Sequence, residues 1–315
     1  MRRMHRLLAV TVAALLLMTG AACAQEGSRG ALYRVQNGSA TVYLLGSIHI
    51  GSPEMYPFGE AIEQAMASSD TFYFECDTSS GDSFVEMQNR MMLGEGESVE
   101  ALLGAERWAS VQEACRKLGL PDTSLAWLKP WAIVNNLSVF ASAEQMGVDS
   151  YNEAIKLGVD QAVMQYGNEH GKACGYLETL DDQLSLMESF SEPLVSYLID
   201  DAVNTILHPE TTQEAPCADW PEWWRDGNAD AFATQYNAIT STQSEQGYAD
   251  VAQEYHTALL TNRNRRMAEN LDLLLQRGEG MSFVTVGILH LVLPGDSVLS
   301  ELETMGYTVD CLSNP

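Results

Sequence analysis

Two short segments carry the residues most able to do chemistry, Gly46-Ser-Ile-His49 and Gly287-Ile-Leu-His290, near opposite ends of the 315-residue chain. Each histidine falls a few residues after an apolar β-like run, Thr41 to Leu45 in one case and Ser282 to Val286 in the other. In open α/β sheets such positions gather at the carboxyl ends of strands, where side chains leave the packed core and ligands bind. A neutral imidazole there can hold a divalent metal, although a single loop histidine more often just bonds a backbone group. The recurrence of the pattern favours a shared role. Glycine three residues before each histidine is expected to let the chain turn sharply off the sheet.

A metal needs a third ligand, and Glu75 ends another apolar run, Phe72-Tyr-Phe74. Two imidazoles and a carboxylate leave open positions for water and substrate, and a metal there would supply hydroxide near neutral pH. The plainer alternative has Glu75 pairing with an arginine. Cys76 alternates to the other sheet face, which disfavours it as a nucleophile in the same site. Ser47 lacks the G-x-S-x-G setting of a hydrolase elbow.

The elements that must position these residues follow from periodicity and turn chemistry. Asn37-Gly38 between β-rich segments signals a hairpin, and a helical stripe follows over 59–69. Thr71–Cys76 reads as a strand. From about 83 to 275 the pattern is mainly helical, with helices over Glu100–Leu118, Trp131–Met146, Pro193–Ile206, Asp230–Thr240 and one long run over Glu254–Gln276. Lys172–Glu178 interrupts as a short strand, and Thr179-x-x-Asp182 resembles a capping box. The end returns to β: a strand over Ser282–Val286, a helix over 297–305 capped by Asp296, and a strand over Tyr307–Leu312. The expected fold is therefore α/β, a central mixed β-sheet built from the two ends of the chain around a large helical middle.

Composition narrows the function class. The chain is 46% hydrophobic and 19% charged with a net charge of −26, ordinary for a buried core and repulsive to nucleic acid or anionic lipid. Arg2, Arg3 and Arg6 precede an apolar stretch from Leu7 to Met18 and then Ala22-Cys23-Ala24. That is the layout of a secretory signal over residues 1–24, leaving a domain over 25–315 for the periplasm or the outside. Lipid attachment at Cys23 is the lesser alternative. No later apolar run reaches the ~20 residues a membrane span needs. Five cysteines remain, and an oxidising compartment would allow a bridge such as Cys174 to Cys311. Trp220-Pro-Glu-Trp-Trp224 either anchors a loop on the core or grips a ligand by stacking. His170, His208 and His256 read as structural or solvated.

Taken together, several blocks resemble the TraB/GumN family, which includes the TIKI metalloproteases: Leu44 to His49, Tyr56-Pro57, the strand ending in Glu75, Gly175 to Glu178 with Gln183, Arg263-Asn264 with Met267-Ala268, and Val286 to His290 followed by Gly306-Tyr307-x-Val309. The resemblance covers nearly all of the chain after residue 24 and implies the fold of erythromycin-esterase-like and ChaN-like proteins. It implies a metal-dependent hydrolase of peptide or protein substrates, with a divalent metal (manganese, cobalt or zinc). His49, Glu75 and His290 are the implied ligands, with Glu178 and Arg263 as further catalytic groups and Asn264 and Tyr56 as substrate contacts. Arg263 either steadies an oxyanion or substrate carboxylate or forms an ion pair with Glu75 or Glu178. The other function the resemblance allows is a non-catalytic haem, metal or small-ligand binder of the ChaN-like type, with which Tyr56 is compatible.

Overall fold

The computed structural model describes residues 27–148, 150–209 and 217–313; the proposed signal segment and Cys23 lie outside them. Six strands form one mixed sheet: β1 (Ala31–Asn37), β2 (Ala40–Ser47), β3 (Thr71–Phe74), β4 (Ala173–Tyr176), β5 (Met281–Gly287) and β6 (Val309–Cys311). Their spatial order is β4-β3-β5-β2-β1-β6. The pairs β4–β3, β3–β5 and β5–β2 are parallel, whereas β1 is antiparallel to β2 and to β6. The chain ends thus build the sheet, and between β3 and β5 the described chain is helical apart from β4.

Alternation along the strands sends side chains into two separate layers. On one face Leu45, Phe72 and Phe283 pack with Ile62 and Met66 of the Glu60–Ser68 helix and with Val159 and Val163 of the Val159–Glu169 helix. On the other, Val42, Leu44, Val284 and Val286 pack with Met267, Leu271 and Leu275 of the Asn262–Gln276 helix and with Val298 and Leu302. A third core lies wholly among helices: Val111 and Cys115 meet Ile133 and Leu137 of the Pro130–Gln145 helix and Ile199 of the Glu192–Leu207 helix. Both sheet faces are covered, which suits parallel strands built from continuous apolar runs.

Several local expectations change. The helix expected over Glu100–Leu118 is two, Val99–Leu103 and Ala105–Lys117, because Gly104 takes a left-handed φ of 81° between them. The long run over Glu254–Gln276 is broken into Ala249–His256 and Asn262–Gln276 by a π turn, Thr257–Thr261. Asp296 is not the cap of the last helix. Ser297 accepts from the Ser300 N–H instead, over Val298–Thr304. The hairpin at Gly38 and the capping box of Thr179 and Asp182 are as expected. Cys174 and Cys311 occupy the opposite edge strands, so a bridge between them is ruled out by some five strand spacings of about 4.8 Å each.

Candidate functional site

The sheet order explains why distant residues meet. β4, β3, β5 and β2 are four adjacent parallel strands, and just beyond their carboxyl ends stand Glu178, Glu75, His290 and His49, in that order across the sheet. Backbone bonds continue the ladders past the formal strand ends. The Glu178 N–H donates to the Glu75 carbonyl at 2.7 Å, and the Ile288 N–H donates to the Ser47 carbonyl at 2.8 Å. Neither Gly46 nor Gly287 has a positive φ. Their role is close approach, not a sharp turn. A Cβ on Gly46 would lie 2.9 Å from Ile288 Cγ1, and one on Gly287 would lie 3.3 Å from Glu75 Oε1.

A cavity of about 510 Å³ opens over these strand ends, walled by His49, Glu75, Arg263 and His290 with Gln183, Tyr255 and Trp220. Four of the sequence candidates therefore share one pocket. Glu178 and Asn264 stand behind it, both buried. Tyr56 is elsewhere: its hydroxyl donates to the Leu157 carbonyl at 2.6 Å. Asn264 and Tyr56 spend their polar atoms on the protein rather than on the cavity.

Arg263 organises the carboxylates. Its Nη2 donates to Glu75 Oε2 at 2.5 Å and to Glu178 Oε2 at 2.7 Å, and its Nε reaches Glu178 Oε2 at 2.9 Å. Arg266 Nη2 donates to the other Glu178 oxygen at 3.0 Å. Both alternatives for an Arg263 ion pair thus hold at once, and Glu178 is fully occupied as its anchor. Burial opposes ionisation of Glu75. Arg263, both histidines and the Gly287 N–H, which donates to Glu75 Oε1 at 2.7 Å, outweigh it and hold the carboxyl well below its usual range.

The two histidines differ. Burial, with Arg263 and His49 nearby, lowers His290 to about 4 against the pull of Glu75, so the ring is neutral at pH 7. Asn264 Nδ2 donates to the Asp296 carbonyl at 3.0 Å, which turns its Oδ1 toward His290 Nδ1 at 2.6 Å. Nδ1 therefore carries the proton and Nε2 the lone pair. His49 has a ring 68% exposed at the pocket mouth, with Nδ1 at 3.4 Å from Asp160 Oδ1. The Asp160 carboxylate raises its pKa. Asp160 is brought there by tight packing: the Val159 N–H donates to the Ile48 carbonyl at 3.0 Å, and a Cβ on Gly158 would collide with the His49 carbonyl at 2.4 Å.

Sequence reasoning missed Asp160 and the support of Asn264. Asp296 Oδ2 accepts from Thr261 at 2.6 Å and lies 2.6 Å from His256 Nε2, whose Nδ1 meets the Tyr236 hydroxyl at 2.8 Å. Thr261 belongs to the π turn, a feature common near functional sites. Nothing in residue spacing marks these partners. Trp224 is buried and donates to the Gly46 carbonyl at 2.8 Å, anchoring the loop, whereas Trp220 reaches the cavity wall. Cys76 lines a smaller chamber behind the site, and burial pushes its thiol up to about 12, so it stays protonated.

The fit of this donor set to a divalent metal is partial. Among the described residues no three His, Cys, Asp or Glu side chains are closed into a metal-binding group. Yet His290 Nε2 and Glu75 Oε1 lie 3.9 Å apart, too far for a hydrogen bond and within the span of two bonds of ~2.1 Å each.

Residues 31–310 match the model of the TraB/PrgY/gumN family. The chain belongs to that family. Its curated relatives include the uncharacterized protein YbaP of Escherichia coli (strain K12), 23% identical over 81% of this chain and 85% of the relative. YbaP of Shigella flexneri matches to the same extent. No solved structure matches this TraB/PrgY/gumN member.

Proposed function

We propose that the protein is a metal-dependent hydrolase of peptide or related amide bonds, with His290, Glu75 and His49 as the metal ligands. The observation that carries the reading is the 3.9 Å gap between an unprotonated His290 Nε2 and Glu75 Oε1, two donors facing each other without bonding. Asn264 supplies His290 with the outer partner that metal-bound histidines use to fix tautomer and orientation, and Asp160 places a carboxylate 3.4 Å from the His49 ring. A divalent metal bound there would acidify a bound water and polarise a carbonyl.

The remaining roles belong to the chain's own groups. Arg263 presents a permanent positive charge in the cavity wall, suited to an oxyanion, and Glu75 and Glu178 hold it rigidly. Glu178 acts through Arg263 and is a positioning residue. Trp220, Leu259 and Leu260 give the cavity apolar walls that limit water. We also propose that the enzyme works outside the cytoplasm, on the strength of the Arg2 to Ala24 leader pattern. The haem-binding alternative loses its supporting residue, because the Tyr56 hydroxyl is bonded to Leu157.

Hydrolysis of an unbiased peptide library, run in parallel with manganese, cobalt, zinc and chelator, tests the reading. Cleavage that requires a metal and disappears in His290→Ala is the expected result. Cleavage indifferent to exhaustive chelation, or none under any condition, contradicts it.

A further inference from the structure

A second cavity of about 440 Å³ lies beside the first, between the Pro130–Gln145 helix and the helix Leu180–Glu188 with its exit at Phe190. Its apolar wall includes Leu102, Trp131, Phe190 and Val195. Leu102 is 46% exposed, an unusual position for a leucine facing a concave surface. Met187 lines both cavities, so they adjoin across its side chain. The same two helices contribute to both. Trp131 stands in the second cavity while Asn135 and Ser138, one and two turns along the same helix face, stand in the first.

The spacing sets a scale. Seven residues separate Trp131 from Ser138, roughly 10 Å of helix at ~1.5 Å per residue. An extended polypeptide covers that in about three residues at ~3.3 to 3.6 Å each. The rim of the second cavity carries Glu97 and Glu192, which have no cation at ion-pair distance among the described residues. Glu188, by contrast, is neutralised by Arg90 and Lys129. The Trp131 indole N–H is buried with no acceptor among the described residues, leaving a donor unspent in the wall of the second cavity.

We infer that the second cavity is a substrate subsite for a large apolar side chain of an extended polypeptide that also enters the first cavity, with basic neighbours preferred. The inference rests on the hydrolase reading for its register but not for its binding. The shared Met187 sets the two cavities side by side, the walls select an apolar side chain, and the rim carboxylates Glu97 and Glu192, neither with a cation at ion-pair distance among the described residues, favour lysine or arginine beside it.

The test uses two fluorescein-labelled octapeptides of alanine, one with lysines flanking a single phenylalanine and one with serine in its place. Anisotropy in the presence of chelator reads binding without turnover. The phenylalanine peptide should bind at least tenfold more tightly, as burial of one aromatic side chain implies. Leu102→Asp should remove that preference. Cleavage with metal restored should fall at one fixed bond at least three residues from the phenylalanine. Discrimination without cleavage supports the subsite and counts against the hydrolase. Equal binding of the two peptides, or binding of neither, overturns the subsite whatever the cleavage result. The peptide comparison on the unaltered protein needs no variant to fold.

Discussion

At the scale of single residues the site depends on one arginine shared by two buried carboxylates. Removing Arg263 leaves Glu75 and Glu178 without their common partner, and breaking such a buried pair costs about 3–5 kcal/mol. Arg263→Met should therefore lower the urea midpoint strongly as well as stop turnover, whereas Arg266→Met, at a half-exposed position, should do neither to a comparable degree. The pH dependence follows from Glu75 and His290. Both have folded pKa values below their ordinary ones, so the unfolded chain binds more protons in the acid range. The His290 contribution is complete above about 6.5 and is lost as pH falls toward about 4; that of Glu75 is complete above the usual carboxylate range and is lost further into acid. Urea midpoints measured from pH 8 to 3 should fall in that order, and Glu75→Gln should flatten the acid end. Asn264 holds the His290 tautomer, and Asn264→Leu should weaken metal binding about 10- to 100-fold without touching the pocket itself.

At the scale of elements the strand ends do the positioning, and they were also the part most legible beforehand. Apolar alternation and the Asn37-Gly38 turn were enough to find the hairpin, and the runs before His49, Glu75 and His290 marked three strand ends correctly. What they could not supply was the order of the strands. Only the parallel β4-β3-β5-β2 arrangement makes Glu178, Glu75, His290 and His49 neighbours. The π turn was illegible for a related reason. Thr257–Thr261 continues a helical pattern, and the widened turn shows itself only in what Thr261 then reaches, Asp296. Asp296 looked like a helix cap because Asp favours that place, but the adjacent Ser297 takes the role and frees the carboxylate. The glycines act at this scale too. Gly46→Ala forces a methyl to 2.9 Å from Ile288 Cγ1 and to 3.2 Å from Ile288 Cα. The overpacking should cost about 1–3 kcal/mol in a thermal melt and tilt the segment that carries His290.

At the scale of the whole molecule the two edges of the sheet and its net charge set the remaining behaviour. All five described cysteines are free, with Cys174 and Cys311 exposed on opposite edges and Cys76, Cys115 and Cys217 buried. In protein produced without residues 1–24, Ellman's reagent should label two thiols in the native state and three more on unfolding, and reductant should leave the melting temperature unchanged. A net charge of −26 draws cations toward a pocket whose deep carboxylates are already partly neutralised by Arg263. Metal binding should weaken as salt rises for that reason. The claim on which the rest stands is that β2, β3 and β5 bring three donors from remote parts of the chain around one ion. Isothermal titration of manganese or zinc into the purified protein, beside the His49→Ala/His290→Ala double variant, addresses it directly. One ion per chain in the unaltered protein and none in a folded double variant is the predicted outcome; equal binding by both, or by neither, contradicts it.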